Sequence, residues 1–188
     1  MHEKVTSKSW IEYDVLPKEL ELSLLHYFIL WKMKPAKEHT FKMDGRECVM
    51  HRLQRVYGQD YKFSGVTHKA LPIPDLFSDL IIYFNEKYNR NYNLVLVNWY
   101  RDGNDYISLH ADNEKQITDH SEIVTVSLGC EREFVIKNNK TNLTQKLLVS
   151  DNHFLTMGGM FQDEFTHGIS KNTKLKDDRI SITLRECC

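Results

Sequence analysis

The stretch Asn93-Leu-Val-Leu-Val-Asn98-Trp-Tyr100-Arg-Asp-Gly103-Asn-Asp-Tyr106-Ile-Ser-Leu-His110 decides the fold. An apolar run of strand length breaks at a polar turn around Gly103, and a second short strand follows. The same punctuation runs to the end of the chain. Strands are expected over 93–100, 106–110, 123–128, 133–137, 146–149, 154–157, 165–169 and 179–185. Gly103, Gly129, Asn138-Asn139 and Gly158-Gly159 supply turns between them. Short strands separated by turn signals imply a double-sheet jelly roll, that is, a double-stranded β-helix. In such a fold, strands distant in sequence converge at one mouth.

Upstream the period is helical. Leu20, Leu24, Leu25, Phe28 and Trp31 recur after Pro17, and Leu76, Phe77, Leu80, Ile81 and Phe84 recur after Pro72 and Pro74. Both stripes read as core-facing, ended by Pro35 and by the polar Asn89-Arg90-Asn91. Thr40 to Gly65 is basic and aromatic, with Gly45 and Gly58 as hairpin turns. The expected class is α+β with a mainly β core. One domain spans 1–188: N-terminal helices and hairpins in 1–92, and the jelly roll in 93–188.

At 188 residues the chain is long enough for one sizeable core, and 41% hydrophobic with 27% charged residues argues against disorder. A net charge of −1 carries no global nucleic-acid signal, so contact with phosphates would need a local patch. Lys42, Arg46, Arg52 and Arg55, or Lys137, Lys140 and Lys146, are the candidates, against a solvated face as the bland alternative. The four cysteines form no paired framework, which points to an intracellular, reducing location, nucleus or cytoplasm. No apolar run is long enough to span a bilayer, so no membrane partner is expected, and a monomer is expected. The terminal Cys187-Cys188 lacks the usual prenylation spacing.

The chemistry concentrates in His110-Ala111-Asp112, His167, Arg179 and Arg185. His110 and Asp112 alternate on a strand, so both can face one side. Two histidines and a carboxylate suit a divalent iron that keeps open positions, with zinc as the alternative metal. Among nine histidines, His167 is the best third ligand, because His120 follows a polar turn and His153 begins a strand after Ser150-Asp151-Asn152. Arg179, Ser181, Thr183 and Arg185 share one strand face. An outward polar face is the ordinary reading. Two arginines facing inward would instead require anions, for which a carboxylate is the natural bidentate partner.

Several segments together resemble the AlkB family of iron(II)- and 2-oxoglutarate-dependent dioxygenases, across nearly the whole chain from about Pro17 to Arg185. They are Tyr57-Gly58, Tyr61-Lys-Phe63-Ser-Gly65, Asn98-Trp-Tyr100-Arg-Asp-Gly103, His110-Ala-Asp112-Asn-Glu114, Ser127-Leu-Gly129, Arg132-Glu-Phe134, His167 and the Arg179–Arg185 strand. The likeness is strongest to eukaryotic members that repair N-alkylated bases in DNA. The resemblance implies that His110, Asp112 and His167 ligate Fe(II) and carry the catalysis. It implies that Arg179 pairs with the distal carboxylate of 2-oxoglutarate, that Arg185 lies near its metal-binding end, and that Asn98 and Tyr100 hydrogen-bond it. Phe63 would stack a flipped base against His110, Tyr61 would contact the base or its phosphate, and Asn113 and Glu114 would supply polar contacts. Met43, with Arg52 among the flanking basic positions, would belong to a nucleotide-recognition lid, Met43 as an apolar wedge. The implied reaction consumes 2-oxoglutarate and O2, with ascorbate as reductant in vitro. It demethylates bases such as 1-methyladenine and 3-methylcytosine in alkylated DNA, with RNA as the alternative polymer, and releases formaldehyde, succinate and CO2.

The departures from the family are specific. Ser181 stands where many relatives have Asn, which removes one amide contact to 2-oxoglutarate. Asn113 stands where an aspartate is frequent. Asp44 stands where an aromatic would fill the gap left by a flipped base, which weakens the case for duplex DNA. Two other readings stay open: a dioxygenase acting on a protein or small molecule, and a non-catalytic nucleic-acid-binding module.

Overall fold

A computed structural model of the protein describes residues 1–43, 46–63 and 65–188; the side chains of Lys42, Met43 and Glu47 lie outside the description. In chain order the first half holds β1 (His2–Lys4), β2 (Ser9–Val15), α1 (Leu24–Met33), β3 (Thr40–Met43), β4 (Arg46–Val49), β5 (Leu53–Tyr57), β6 (Tyr61–Phe63), β7 (Val66–His68) and α2 (Ser78–Tyr88). The second half holds β8 (Leu94–Tyr100), β9 (Ile107–His110), β10 (Ile123–Gly129), β11 (Arg132–Asn138), β12 (Thr144–Val149), β13 (His153–Gly159), α3 (Phe161–Glu164), β14 (Phe165–Ile169) and β15 (Arg179–Arg185).

The strands expected from residue 93 onward are all present, and they divide evenly between two sheets. A seven-stranded sheet runs β1-β2-β13-β10-β15-β8-β5, and a four-stranded sheet runs β12-β11-β14-β9. This is the jelly-roll arrangement. Three strands from before residue 93 extend the larger sheet. One is β2, whose Ser9–Val15 run pairs with Gly159–His153. Neither β1 nor β2 is among the strands expected from the sequence, in which the first expected element is the helix after Pro17. The boundary drawn at 92/93 is thus crossed by β1, β2 and β5.

The two faces of the larger sheet do different work. Val95, Val97, Trp99, Ile180, Ile182 and Leu184 face the helices, packing with Leu30, Phe77, Leu80 and Phe84 in one apolar core. Trp99 Nε1 anchors this layer by donating to Leu30 O at 3.0 Å. The other face is turned toward the four-stranded sheet and is lined by polar side chains, described below. α2 presents the expected stripe: Phe77, Leu80 and Phe84 are buried, and Leu76 and Ile81 pack against the core. Asn89, in the left-handed region at φ 52°, stops it.

α1 departs from expectation. Leu24, Leu25 and Phe28 are 69, 66 and 56% exposed, and the helix docks through Leu30 with Tyr27, Trp31 and Met33 alongside. The helix reads Leu-Leu-His-Tyr-Phe-Ile-Leu-Trp-Lys-Met and is apolar on nearly every side, so periodicity could not choose its buried face. Beyond the two large sheets, β3 pairs with β4 and β6 with β7 as separate hairpins. No helix among the described residues is long and apolar enough to cross a membrane.

The two helices predict opposite responses to truncation. Phe84→Ala should cost about 3–5 kcal/mol of stability. Phe28→Ala should stay within about 0.5 kcal/mol. Urea denaturation of the two variants separates them, and comparable losses would contradict the docking of α1.

Candidate active site

The site is built where β9 meets β14. Their antiparallel pairing puts His167 opposite His110, with a shift of register between His167 and Ile169. Gly168 permits that approach, because a Cβ there would sit 2.5 Å from Ile107 O. Asp112 follows the end of β9, and its N–H donates to Gln162 Oε1 at 2.9 Å. One donor atom each from His110, Asp112 and His167 lies within 4.8 Å of the others, the spread of a single metal ion's ligands. Asp112 reaches His110 Nε2 at 3.5 Å and His167 Nε2 at 3.7 Å. The His110 ring is oriented by its Nδ1, 2.9 Å from Ser108 O, and His167 is flanked by the parallel ring of Phe134 at 5.3 Å.

The electrostatics suit a cation. Burial opposes the charge on Asp112, but the Arg185 guanidinium, followed by the hydrogen bond from His110, holds its carboxyl well below the usual range. Burial pushes His167 down to about 3, so the imidazole stays neutral, the form that donates a lone pair to a metal. Arg185 Nη2 donates to Asp112 Oδ1 at 2.8 Å, and its guanidinium lies over the Tyr61 ring at 4.8 Å.

On one side of the triad a narrow inner pocket is lined by Asn98, Tyr100, Arg179 and Ser181 among others. Arg179 is 1% exposed, and only Nη2 is engaged, donating to Ser127 Oγ at 2.8 Å. Its Nε and Nη1 have no partner among the described residues. The guanidiniums of Arg132 and Arg179 both lie over the Tyr100 ring, at 5.5 and 5.1 Å from its centroid. A buried guanidinium with two free N–H edges calls for an anion, and a carboxylate matches it in shape and charge. Asn98 is partly committed: its Oδ1 accepts from Arg52 Nε at 2.9 Å, and its Nδ2 faces Ser181 Oγ at 3.5 Å.

On the other side opens a cavity of about 580 Å³, lined by Tyr61, Phe63, His110, Glu114, Arg52 and Arg185 among others. The Phe63 ring lies flat on His68, centroids 4.1 Å apart at 8°. Of the residues named from the sequence, most therefore converge here. Asn113 is exposed and lies outside the lining of both pockets, while Asp112 before it and Glu114 after it both line the cavity. Arg52 is buried against Asn98 and so serves no surface phosphate patch. The wedge assigned to Met43 and the Asp44-Gly45 turn lie outside the described residues.

Gln162 and His68 escaped the sequence reading, and Ser127 and Arg132 were quoted in it without a role. Ser127 could have been found, since it faces the same way as Ser181 opposite it in the β10–β15 register. The others act through contacts that no spacing announces.

The sequence-family comparison decides the class. The family described as the 2OG-Fe(II) oxygenase superfamily matches residues 20–185. The chain belongs to that superfamily. Among its relatives, DNA oxidative demethylase ALKBH2 of Arabidopsis thaliana is 25% identical over 95% of this chain and 62% of its own length. Alpha-ketoglutarate-dependent dioxygenase alkB homolog 3 of Mus musculus is 26% identical over 77% of this chain and 55% of its own. The chain thus spans a little over half to three fifths of these two relatives' length. The solved structure of OsALKBH1 superposes with a TM-score of 0.60 at 18% identity, covering 98% of this chain and 100% of that one, which supports the fold. The AlkB resemblance is borne out. Members of the 2OG-Fe(II) oxygenase superfamily take iron(II), 2-oxoglutarate and O2, and the residues here fit them. The triad offers two imidazole nitrogens and a carboxylate, and Arg179 offers free N–H edges to a carboxylate.

Two predictions follow the geometry. Gly168→Ala should force β14 away from β9, part His167 from His110 and weaken iron(II) binding, measured by metal titration. Unchanged affinity would show that the close approach is dispensable. The second concerns His68, which burial, with His39 and Arg52 nearby, lowers to about 4 from an ordinary 6.5. The folded value is the lower one, so the stability contribution is full above about 6.5 and is lost as pH falls toward about 4. Wild type should lose stability relative to His68→Phe between pH 7 and pH 4.5 in urea unfolding. Parallel pH profiles would refute this.

Proposed function

We propose that the protein carries out Fe(II)- and 2-oxoglutarate-dependent oxidative demethylation of N-alkylated bases such as 1-methyladenine and 3-methylcytosine. DNA is the first-choice polymer and RNA the second. The observation that carries the reading is a pair of pockets that share His110 and Asp112: an inner one lined by a buried arginine with unused N–H edges, and an aromatic-walled cavity of about 580 Å³. The cavity is large enough for a nucleobase. Names borne by relatives, DNA oxidative demethylase among them, support the same substrate class.

His110, Asp112 and His167 are assigned the metal and the catalytic centre. When bound, iron(II) with 2-oxoglutarate and O2 supplies the oxidising power that converts N–CH3 to N–CH2OH, giving succinate and CO2. The hydroxymethyl adduct then sheds formaldehyde and restores the base. Arg179 is assigned the distal carboxylate of 2-oxoglutarate, with Tyr100, Asn98 and Ser181 completing the polar wall. Arg185 holds Asp112 in its charged form and in position. Phe63, backed by His68, and Tyr61 form the base-binding wall, and Arg52 and Glu114 supply polar groups at its edge. The hairpins β3–β4 and β6–β7 act as the nucleotide-recognition lid. The base must leave the stack to reach such a depth. The setting is intracellular, nucleus or cytoplasm, where the free cysteines stay reduced.

Mass-resolved assay of methylated oligonucleotides with iron(II), 2-oxoglutarate and ascorbate tests the proposal. Asp112→Ala should abolish formaldehyde release while the protein remains folded. Arg179→Met should raise KM for 2-oxoglutarate by about 30-fold or more, as expected when one partner of a buried charged pair is removed. Wild-type protein that makes succinate only with a protein or small-molecule substrate would replace the nucleic-acid reading.

A further inference from the structure

Outside the residues given roles above, the cavity has a second aromatic wall. Tyr106 immediately precedes β9 and His51 lies just before β5, and both line the same space as Phe63 and His110. Their rings stack with centroids 5.0 Å apart and planes 18° apart. Tyr106 N also donates to His51 O at 2.9 Å, so the pair is tied through the main chain. His51 is exposed and Tyr106 half-buried, which puts the stack at the rim.

This rim is held stiffly. The Arg101 side chain grips Asp105 through Nε and Nη2, each at 2.8 Å. Arg132 Nη2 donates to Asp105 O at 2.7 Å, and its Nη1 to Asp102 O at 3.2 Å. A preorganised ring at the mouth of a base-sized cavity is a stacking platform, sequence-tolerant because every base has a π-face.

We propose that the Tyr106–His51 stack is a second nucleobase subsite, which takes the nucleotide next to the one being dealkylated. This rests on the nucleic-acid reading above and sharpens it. A flanking base that stacks on Tyr106 has left its own neighbours, so the preferred substrate is an unpaired strand. The rim stack and the Phe63–His68 wall then engage two successive bases of one strand.

The test uses the iron(II)- and 2-oxoglutarate-loaded protein, kept anaerobic. The probe is a short single-stranded oligonucleotide, DNA or RNA, with 1-methyladenine and with 2-aminopurine as its 5′ or 3′ neighbour. Binding to wild type or Tyr106→Phe should quench the 2-aminopurine at one flank. Tyr106→Leu, which keeps bulk but has no π-face, should lose the quench and bind about tenfold more weakly. His51→Ala, which removes the supporting ring, should reduce the quench. Aerobic turnover of the mononucleotide 1-methyladenosine 5′-monophosphate by wild type reports the catalytic centre separately. If Tyr106→Leu binds and quenches like wild type, the subsite is overturned and the demethylase reading stands. If wild type neither binds the oligonucleotide nor turns over the mononucleotide, both are overturned.

Discussion

The site depends on the register in which β14 lies between β9 and β11. His167 pairs with His110 on one side and with Ile136 on the other. Side chains alternate along a strand, so a slip of one residue would turn His167 out of the barrel and put Thr166 or Gly168 in its place. The β11 ladder, unbroken from Phe134–Ile169 to Asn138–Phe165, fixes that register from the side opposite the metal centre. The irregularity needed to bring two imidazoles together is confined to the other edge, at Gly168. One edge of β14 is therefore regular and structural, and the other is bent for chemistry.

The same barrel buries four guanidiniums. Arg52, Arg132, Arg179 and Arg185 are all 8% exposed or less. Taking such a group out of water costs several kcal/mol unless it is paired. Three of the four keep a buried N–H group without a partner among the described residues: Arg132, otherwise bonded to main-chain carbonyls, Arg179, held by Ser127, and Arg185, held by Asp112. Asp112 is the carboxylate among their side-chain partners, and it must also serve the metal. Nε and Nη1 of Arg179 and of Arg185 have no partner among the described residues, and both side chains line the inner pocket. Stability and recognition draw on the same atoms.

Much of this was legible in the sequence. Strand-length runs separated by turn residues exposed the eight strands of the jelly roll, and the alternation within β15 announced one apolar face and one polar, arginine-bearing face. The His-x-Asp spacing put the two candidate ligands side by side, although β9 ends at His110 and Asp112 lies in the segment beyond it rather than on the same strand. What stayed hidden was hidden for physical reasons. α1 is apolar all round, so its docking face is chosen by the sheet beneath it. Ser9–Val15 is a strand through its partner β13. Gln162 and Arg132 reach the site through main-chain contacts, which leave no trace in residue spacing. Asn113 was given a contact by the family resemblance alone, and its side chain is exposed while Asp112 and Glu114 on either side line the cavity.

Arg132 is the feature with the widest reach. Its guanidinium binds the carbonyls of Asp102, Asp105 and Ser170, atoms that every amino acid carries. It therefore holds the shape of the loops at the mouth without reading their side chains. Those loops can exchange residues, and with them the range of molecules they admit, while the metal centre a few strands away keeps its geometry. A single buried arginine thus separates the part of the protein that can drift from the part that cannot.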